Sequence, residues 1–364
     1  MAAELKRSRG ETYIREAPLS RETFLLERHA PPGADCLALD SLERLSTAAR
    51  LNQFFHLHEW GVEERLLQKK TIGELADFIG ATMLDPAAPW ERLTVCTSGT
   101  TGEPKQVTHS RGDLEAEVST WQQMLPGLSR VVSLIPSHHM YGLIWTVLLP
   151  GALNCEVERV RPGQTPRLKA GDLVVAVPFQ WEYLLGMGLR FPIGVTGVSS
   201  AGELPAGLWS ELTGRGLTRL VEIYGSTETG GMASREAAGA AYRWAPHARR
   251  DVGALPDEIA IESADTFRIL RRKDGLVKVG GQLVSLREVE SVLRAVPGIA
   301  DCRVRAGQQR LEALLIPQLN VDLGLLEEAV RAAIRQHLPA AAQPKRLEFA
   351  AALPRNEMGK VTAW

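Results

Sequence analysis

Thr97-Ser98-Gly99-Thr100-Thr101-Gly102-Glu103-Pro104-Lys105 follows a short apolar run, residues 93–96, and reads as a loop leaving the end of a strand. Hydroxyl side chains, paired glycines and a closing lysine make a flexible loop whose amides and side chains can wrap a polyphosphate. The G-x-x-x-x-G-K-[ST] spacing of a Walker A loop is absent, so this is a phosphate loop of another kind. A solvent-exposed turn of similar composition is the competing reading.

Working outward, Tyr224-Gly225-Ser226-Thr227-Glu228-Thr229-Gly230 follows a second apolar run, residues 220–223. A carboxylate beside a triphosphate is sensible only with a divalent cation between them, because magnesium takes oxygen ligands from carboxylate, phosphate and water. A glutamate that merely caps the next element is the alternative. Around these loops, short β-branched runs at residues 131–135, 173–177, 193–198 and 220–223 alternate with helical patterns. That alternation predicts an α/β fold.

The pattern changes near the C-terminus. Residues 284–296 read as an amphipathic helix, 300–305 and 311–316 as paired strands, and 323–338 as a second helix, together a small α+β domain. The charged stretch Arg271-Arg-Lys-Asp-Gly275 lies between the two patterns and marks a boundary. At the other end, residues 42–57 have helical apolar spacing, and Thr71-Ile-Gly-Glu74 resembles a capping box that opens a helix reaching residue 79. Three segments result: 1–85, mainly helical; 86–272, the large core; and 273–364, a small C-terminal lid.

The loop at 97–105 resembles the phosphate-binding signature of the adenylate-forming superfamily, which includes acyl-CoA synthetases and nonribosomal adenylation domains. The 224–230 motif is similar to that family's second signature, whose Thr and Glu help hold ATP and magnesium; here they are Thr227 and Glu228. Further matches run in the family's order. Ser199-Ser-Ala-Gly202-Glu203 is similar to the turn lining the adenine pocket, and His139, in Ile135-Pro-Ser-His-His-Met-Tyr-Gly142, aligns with a residue near the acid pocket. By position, the resemblance implies that Arg272 contacts ribose and that Asp274 is the hinge pivot. Two departures stand there: Arg271 replaces a glycine, and Gly275 replaces a second acidic residue. The family's ribose-binding Asp follows Thr-Gly; the candidate chosen here is Asp265, which requires a shortened hairpin. Lys278, Gly280 and Gly281 match the segment that in the family lines the thiol path, the glycines suiting close approach of backbone to ligand. Lys360, in Leu353-Pro-Arg-Asn-Glu-Met-Gly-Lys360, matches the lysine that serves adenylation.

The resemblance implies a large N-terminal α/β domain with mixed sheets and a small mobile α+β C-terminal domain. It implies an AMP-forming ligase that turns a carboxylic acid and ATP into acyl-AMP and pyrophosphate with Mg2+, then passes the acyl group to the pantetheine thiol of CoA or a carrier protein. Val177-Pro-Phe-Gln-Trp181, Tyr141 and Trp145 offer aromatic walls for an aryl or medium-chain acid, and core packing explains the same residues. Relatives carry more chain before the phosphate loop. Leu39-Asp-Ser41-Leu-Glu43 resembles the phosphopantetheine attachment site of a carrier protein, whereas Asp40 or Ser41 as a helix cap is the plainer reading. A carrier-type assembly protein and a non-catalytic nucleotide-binding regulator are therefore the alternatives.

Whole-chain features fit an enzyme. The 42 basic and 43 acidic residues nearly cancel, leaving no electrostatic footprint for nucleic acid. The charged N-terminus is not followed by an apolar run, and the most apolar stretch, 140–153, contains Pro150 and Gly151 and is too short for a membrane span. The expected setting is cytoplasmic. Cys36, Cys96, Cys155 and Cys302 show no metal-ligand spacing and read as small apolar core residues.

Overall fold

A computed structural model describes residues 20–87, 89–96, 105–161, 163–250, 252, 255, 257–272, 276–307 and 310–353. The expectations for Thr97, Ser98, Gly99, Thr100, Thr101, Gly102, Asp274 and Lys360, and for the side chain of Arg272, lie outside the described residues. The chain divides into two compact units, Met1–Thr97 with Gln106–Ala116, and Ser98–Lys105 with Glu117–Trp364.

In the first unit, α1 (Ser41–Phe55) starts because Asp40 caps it: its carboxylate accepts the Glu43 N–H at 2.8 Å while the Glu43 side chain accepts the Asp40 N–H at 3.1 Å. α2 (Ile72–Met83) begins at Thr71, whose hydroxyl accepts the Glu74 N–H at 3.2 Å. Leu25, Leu37, Leu57, Leu66 and Leu75 form the core between them. The helical phase of α1 differs from the sequence reading, since Leu42 and Leu45 face solvent while Glu43 and Thr47 are buried. Strands β1 (Arg92–Cys96) and β2 (Gln106–Ser110) form an antiparallel ladder. On β1, Thr94 bonds His56 Nε2 at 2.7 Å and Arg92 pairs with Glu59.

Helix α3 (Arg111–Met124) leads into the second unit, where β3 to β11 lie in one nine-stranded mixed sheet. In chain order come β3 (Arg130–Ser133), α4 (Met140–Leu143), a π turn (Ile144–Leu148), α5 (Leu149–Leu153), β4 (Glu156–Arg159), β5 (Asp172–Ala176), α6 (Pro178–Gly186) and β6 (Thr196–Ser199). Then follow α7 (Ala206–Gly214), β7 (Arg219–Ser226), β8 (Gly230–Arg235), β9 (Tyr242–Trp244), β10 (Asp257–Ile261) and β11 (Thr266–Arg272). The order across the sheet is β10-β11-β9-β8-β7-β6-β5-β3-β4. β4, β3, β5, β6 and β7 are parallel, and the ladder turns antiparallel from β7 onward. Val174, Ala176, Trp181, Leu184, Leu212 and Leu220 pack one core. Around Phe267, which is fully buried, Tyr224, Tyr242 and Trp244 form a second, aromatic one.

Toward the C-terminus, β12 (Leu276–Val279) and β13 (Gln282–Ser285) make a hairpin, then α8 (Leu286–Arg294), β14 (Ile299–Ala306), β15 (Leu311–Pro317), α9 (Leu323–His337) and β16 (Arg346–Phe349) follow. Val289, Leu293, Leu311, Leu315, Val330 and Ile334 close a separate core. The helix expected at 284–296 starts two residues late, because Val284 and Ser285 belong to β13 and Ser285 caps α8. Cys36, Cys96 and Cys155 are half-buried, so only Cys302 is the core residue expected.

Candidate active site

The parallel strands β5, β6 and β7 deliver their carboxyl ends to one edge, where open α/β sheets bind ligands. β7 carries the second signature there. Tyr224 is buried and its hydroxyl donates to Asp257 Oδ2 at 2.8 Å. Gly225 has no room for a side chain, since a Cβ would stand 2.0 Å from the Gly230 carbonyl oxygen. The Ser226 N–H donates to Thr229 Oγ1 at 3.1 Å, closing the turn that presents Thr227 and Glu228.

Lys105, the last residue of the 97–105 motif, reaches that turn: its Nζ lies 3.3 Å from Glu228 Oε1, with both side chains well exposed. Partial burial pushes the Glu228 carboxyl up, but hydrogen bonds from its own backbone, Ser226 and Lys105 outweigh it and hold the group below the ordinary carboxylate value. An ionised, accessible carboxylate is the oxygen donor that a magnesium ion takes, so the site fits that cation.

The adenine-turn candidates follow β6. The Ser200 hydroxyl donates to the Ile223 carbonyl at 3.0 Å, and the Leu204 N–H donates to Glu222 at 2.9 Å, so both ends of the turn are tied to β7. Glu203 is bound by Arg235 at 3.1 Å, and Arg235 also donates to the buried Glu222 at 2.7 Å. Gly202 lies against Pro178 with space for a Cβ at 3.5 Å.

His139 precedes α4 as its N-cap and its ring lies 4.2 Å from that of His138. Both residues keep accessible surface, but the atoms packed around them desolvate the imidazoles and hold both below the ordinary histidine range, His138 to about 4. The aromatic-wall reading needs correction for two residues. Trp145 and Trp181 are fully buried core, and the Tyr141 hydroxyl is spent on the carbonyls of Val198 and Ala176 at 2.9 and 3.2 Å.

Asp265 sits at the tip of the β10–β11 hairpin, exposed and paired with Arg250 at 3.0 Å. At the base, Asp257 stands directly opposite Arg272 in the register and contacts Tyr224 of the second signature. Leu255-Pro256-Asp257 lacks a preceding Thr-Gly, so the local sequence does not mark Asp257.

Gly280 and Gly281, with φ of 56° and 83°, form the two-residue turn between β12 and β13. Paired positive φ is what such a turn demands, and a Cβ on either would meet nothing within 4 Å. Lys278 on β12 is exposed.

Lys105, the Thr227–Glu228 turn and the Tyr224–Asp257 pair come together around β7, and the chain belongs to the AMP-binding enzyme family. Residues 34–285 match the AMP-binding enzyme domain and residues 288–360 the AMP-binding enzyme C-terminal domain. It is thus an AMP-forming acid–thiol ligase: it converts a carboxylic acid to acyl-AMP with ATP and Mg2+, releases pyrophosphate, and transfers the acyl group to a pantetheine thiol. A 4-coumarate–CoA ligase of Cereibacter sphaeroides is 37% identical over 91% of this chain and 84% of its own length. One from Halorhodospira halophila is 36% identical over 90% and 88%. An o-succinylbenzoate CoA synthetase of Bacillus subtilis shares the fold, with a TM-score of 0.51 and 20% identity over 74% of this chain and 67% of that one. Ser41 lies within the matched AMP-binding domain and Asp40 provides the cap, which does not favour the carrier reading. Among the described residues no helix is long and apolar enough to cross a membrane.

Proposed function

We propose that the chain joins an aryl-substituted acid to CoA, with an ATP site made by residues 97–105, Tyr224 to Glu228, the 199–203 turn, Asp257 and Arg272. The observation that carries the site is the 3.3 Å Lys105–Glu228 pair, which sets the end of one signature against the tip of the other. Lys105 faces the outgoing pyrophosphate. Thr227 and Glu228 would hold magnesium and the phosphates, and the ion, when bound, neutralises phosphate charge. The acid's carboxylate oxygen attacks the α-phosphorus as the bond to pyrophosphate breaks; the thiol sulfur then attacks the acyl carbon and AMP leaves. Positioning and charge neutralisation supply the catalysis.

The lid, residues 273–364, pivots at Asp274. In one orientation it brings Lys360 to the reacting carboxylate and phosphate; in the other it presents Lys278, Gly280 and Gly281 to the pantetheine arm. Residues 1–85 and 86–272 complete the division. His139 stands by the acid as a neutral imidazole, in keeping with its lowered proton affinity. The aryl acid and CoA are supported by relatives named for 4-coumarate and CoA.

Pyrophosphate release with ATP, tested on 4-coumarate, benzoate and octanoate, checks the acid. Mass spectrometry of the thioester formed with CoA or with a phosphopantetheine-bearing carrier checks the acceptor. Release highest with 4-coumarate and a CoA thioester are expected; preference for octanoate, or a thioester only on the carrier, overturns the corresponding half.

A further inference from the structure

β8 starts two residues beyond Glu228, and a single carboxyl group occupies the space beside its first two residues. The Gly231 N–H donates to Glu117 Oε1 at 2.8 Å, and Trp121 Nε1 donates to the same oxygen at 3.1 Å. A Cβ on Gly230 would lie 2.3 Å from Glu117 Oε2, and one on Gly231 would lie 2.8 Å from Oε1. The carbonyl of the same residue, in the next peptide unit, is held as well. His247 Nε2 lies 2.9 Å from the Gly231 carbonyl oxygen and its Nδ1 lies 2.9 Å from Thr120 Oγ1. Since a carbonyl only accepts, Nε2 carries the proton there, and in the neutral ring Nδ1 accepts from the threonine. Glu117, Thr120 and Trp121 share one face of α3 at i, i+3 and i+4. The β7–β8 register shifts here: Tyr224 faces Ala233 but Gly225 faces Gly231, leaving Met232 as the extra residue of a bulge.

We propose that Glu117 and His247 are positioning residues for adenylation: by gripping both polar groups of Gly231 they fix the bulge and so the Thr227–Glu228 turn that meets ATP and magnesium. The inference rests on the role of Glu228 proposed above. Glu117 is buried, and its two hydrogen-bond partners are neutral N–H donors. Burial raises its carboxyl to about 7, with the Trp121 and Gly231 bonds opposing. Once ionised, it accepts the Gly231 N–H in a charge-assisted bond, roughly twice as strong as a neutral one. The grip therefore tightens as pH rises through that range. Trp121 and Gly231 face the carboxyl directly, Met140 lies beside Gly230, and His247, on the Gly231 carbonyl, is the titratable neighbour.

The test is MgATP affinity by calorimetry at pH 6 and pH 8 for the full chain and for Glu117→Gln, Glu117→Ala and Glu228→Gln, each checked for fold by circular dichroism. The ratio of variant to wild-type Kd cancels the titration of ATP itself. Glu117→Gln should match wild type at pH 6, where the native carboxyl is protonated, and bind about fivefold more weakly at pH 8. Glu117→Ala should be weakened at both values, since no acceptor remains for Gly231. A Glu117→Gln ratio that is the same at the two pH values overturns the proposal. If Glu228→Gln binds MgATP as wild type does, the role of Glu228 falls and the clamp's purpose with it; if Glu228→Gln is weakened while both Glu117 variants match wild type, the clamp alone is wrong.

Discussion

At the scale of single residues, the site rests on a few polar groups whose partners decide their chemistry. Glu228→Gln removes the charge that a magnesium ion would meet, while the exposed pair it makes with Lys105 adds little to stability. The expected result is a raised magnesium requirement for pyrophosphate release with the melting temperature nearly unchanged; a large melting shift with intact kinetics would make Glu228 a structural residue. Glu117 obeys the opposite logic. Its folded carboxyl sits at about 7 against an ordinary 4.5, so the folded chain holds a proton that the unfolded chain has released. That burial penalty is absent below 4.5, grows up to about 7 and is complete above it. Glu117→Gln should therefore raise stability relative to wild type at pH 8, on the order of 3 kcal/mol, and leave it unchanged at pH 4. Urea melts at the two pH values measure this, and an equal gain at both would remove titration as the cause. Lys105 and Glu228 were legible in the sequence because each lies in a motif dense in glycine and hydroxyl residues. Asp257 was not, because only the ladder sets it opposite Arg272, with Tyr224 in hydrogen-bond reach.

At the scale of elements, alternation and caps carried most of the reading. The runs at 131–135, 173–177 and 220–223 are strands because both sheet faces are covered, so apolar residues continue without alternation. The phase of α1 was misleading, since the capping box buries Glu43 and turns Leu42 and Leu45 outward. Asp40→Ala, which opens that box, should cost about 1 kcal/mol of stability, whereas Ser41→Ala at the first helical position should leave both stability and thioester formation unchanged. Loss of a phosphopantetheine mass increment in Ser41→Ala would revive the carrier reading. The β12–β13 turn separates conformational from steric roles. Gly281 has φ of 83° and open space around it, so Gly281→Ala carries only the left-handed backbone cost, roughly 1–2 kcal/mol. Gly281→Leu carries the same cost plus bulk. If the pantetheine arm passes there, thioester formation from a supplied acyl-adenylate should fail in the leucine variant and persist in the alanine one; equal loss in both would assign Gly281 to the turn alone.

At the scale of the whole molecule, the order of motifs from Thr97 to Lys360 made the enzyme class readable, because each motif alone is weak while their shared order along one chain is specific. The division into bodies was less readable: β1, β2 and residues 106–116 cluster with the N-terminal segment, a grouping that strand pairing creates and local pattern does not announce. The proposed lid makes the most demanding prediction. Lys360 is asked to act only while the carboxylate and α-phosphate charges are brought together, where a cation lowers their repulsion in the transition state. Thiol attack on a finished adenylate joins a different pair of atoms and meets no such repulsion. Lys360→Ala should therefore lower pyrophosphate release from acid and ATP by at least a hundredfold, yet convert chemically supplied acyl-adenylate to thioester at nearly the wild-type rate. Mixing Lys360→Ala with Gly281→Leu should restore overall thioester synthesis only if the adenylate is released and rebound, so the absence of complementation would show that each chain completes both steps on one bound intermediate. If Lys360→Ala slows both half-reactions alike, the lysine serves a single closed state and the two-orientation lid is wrong for this chain.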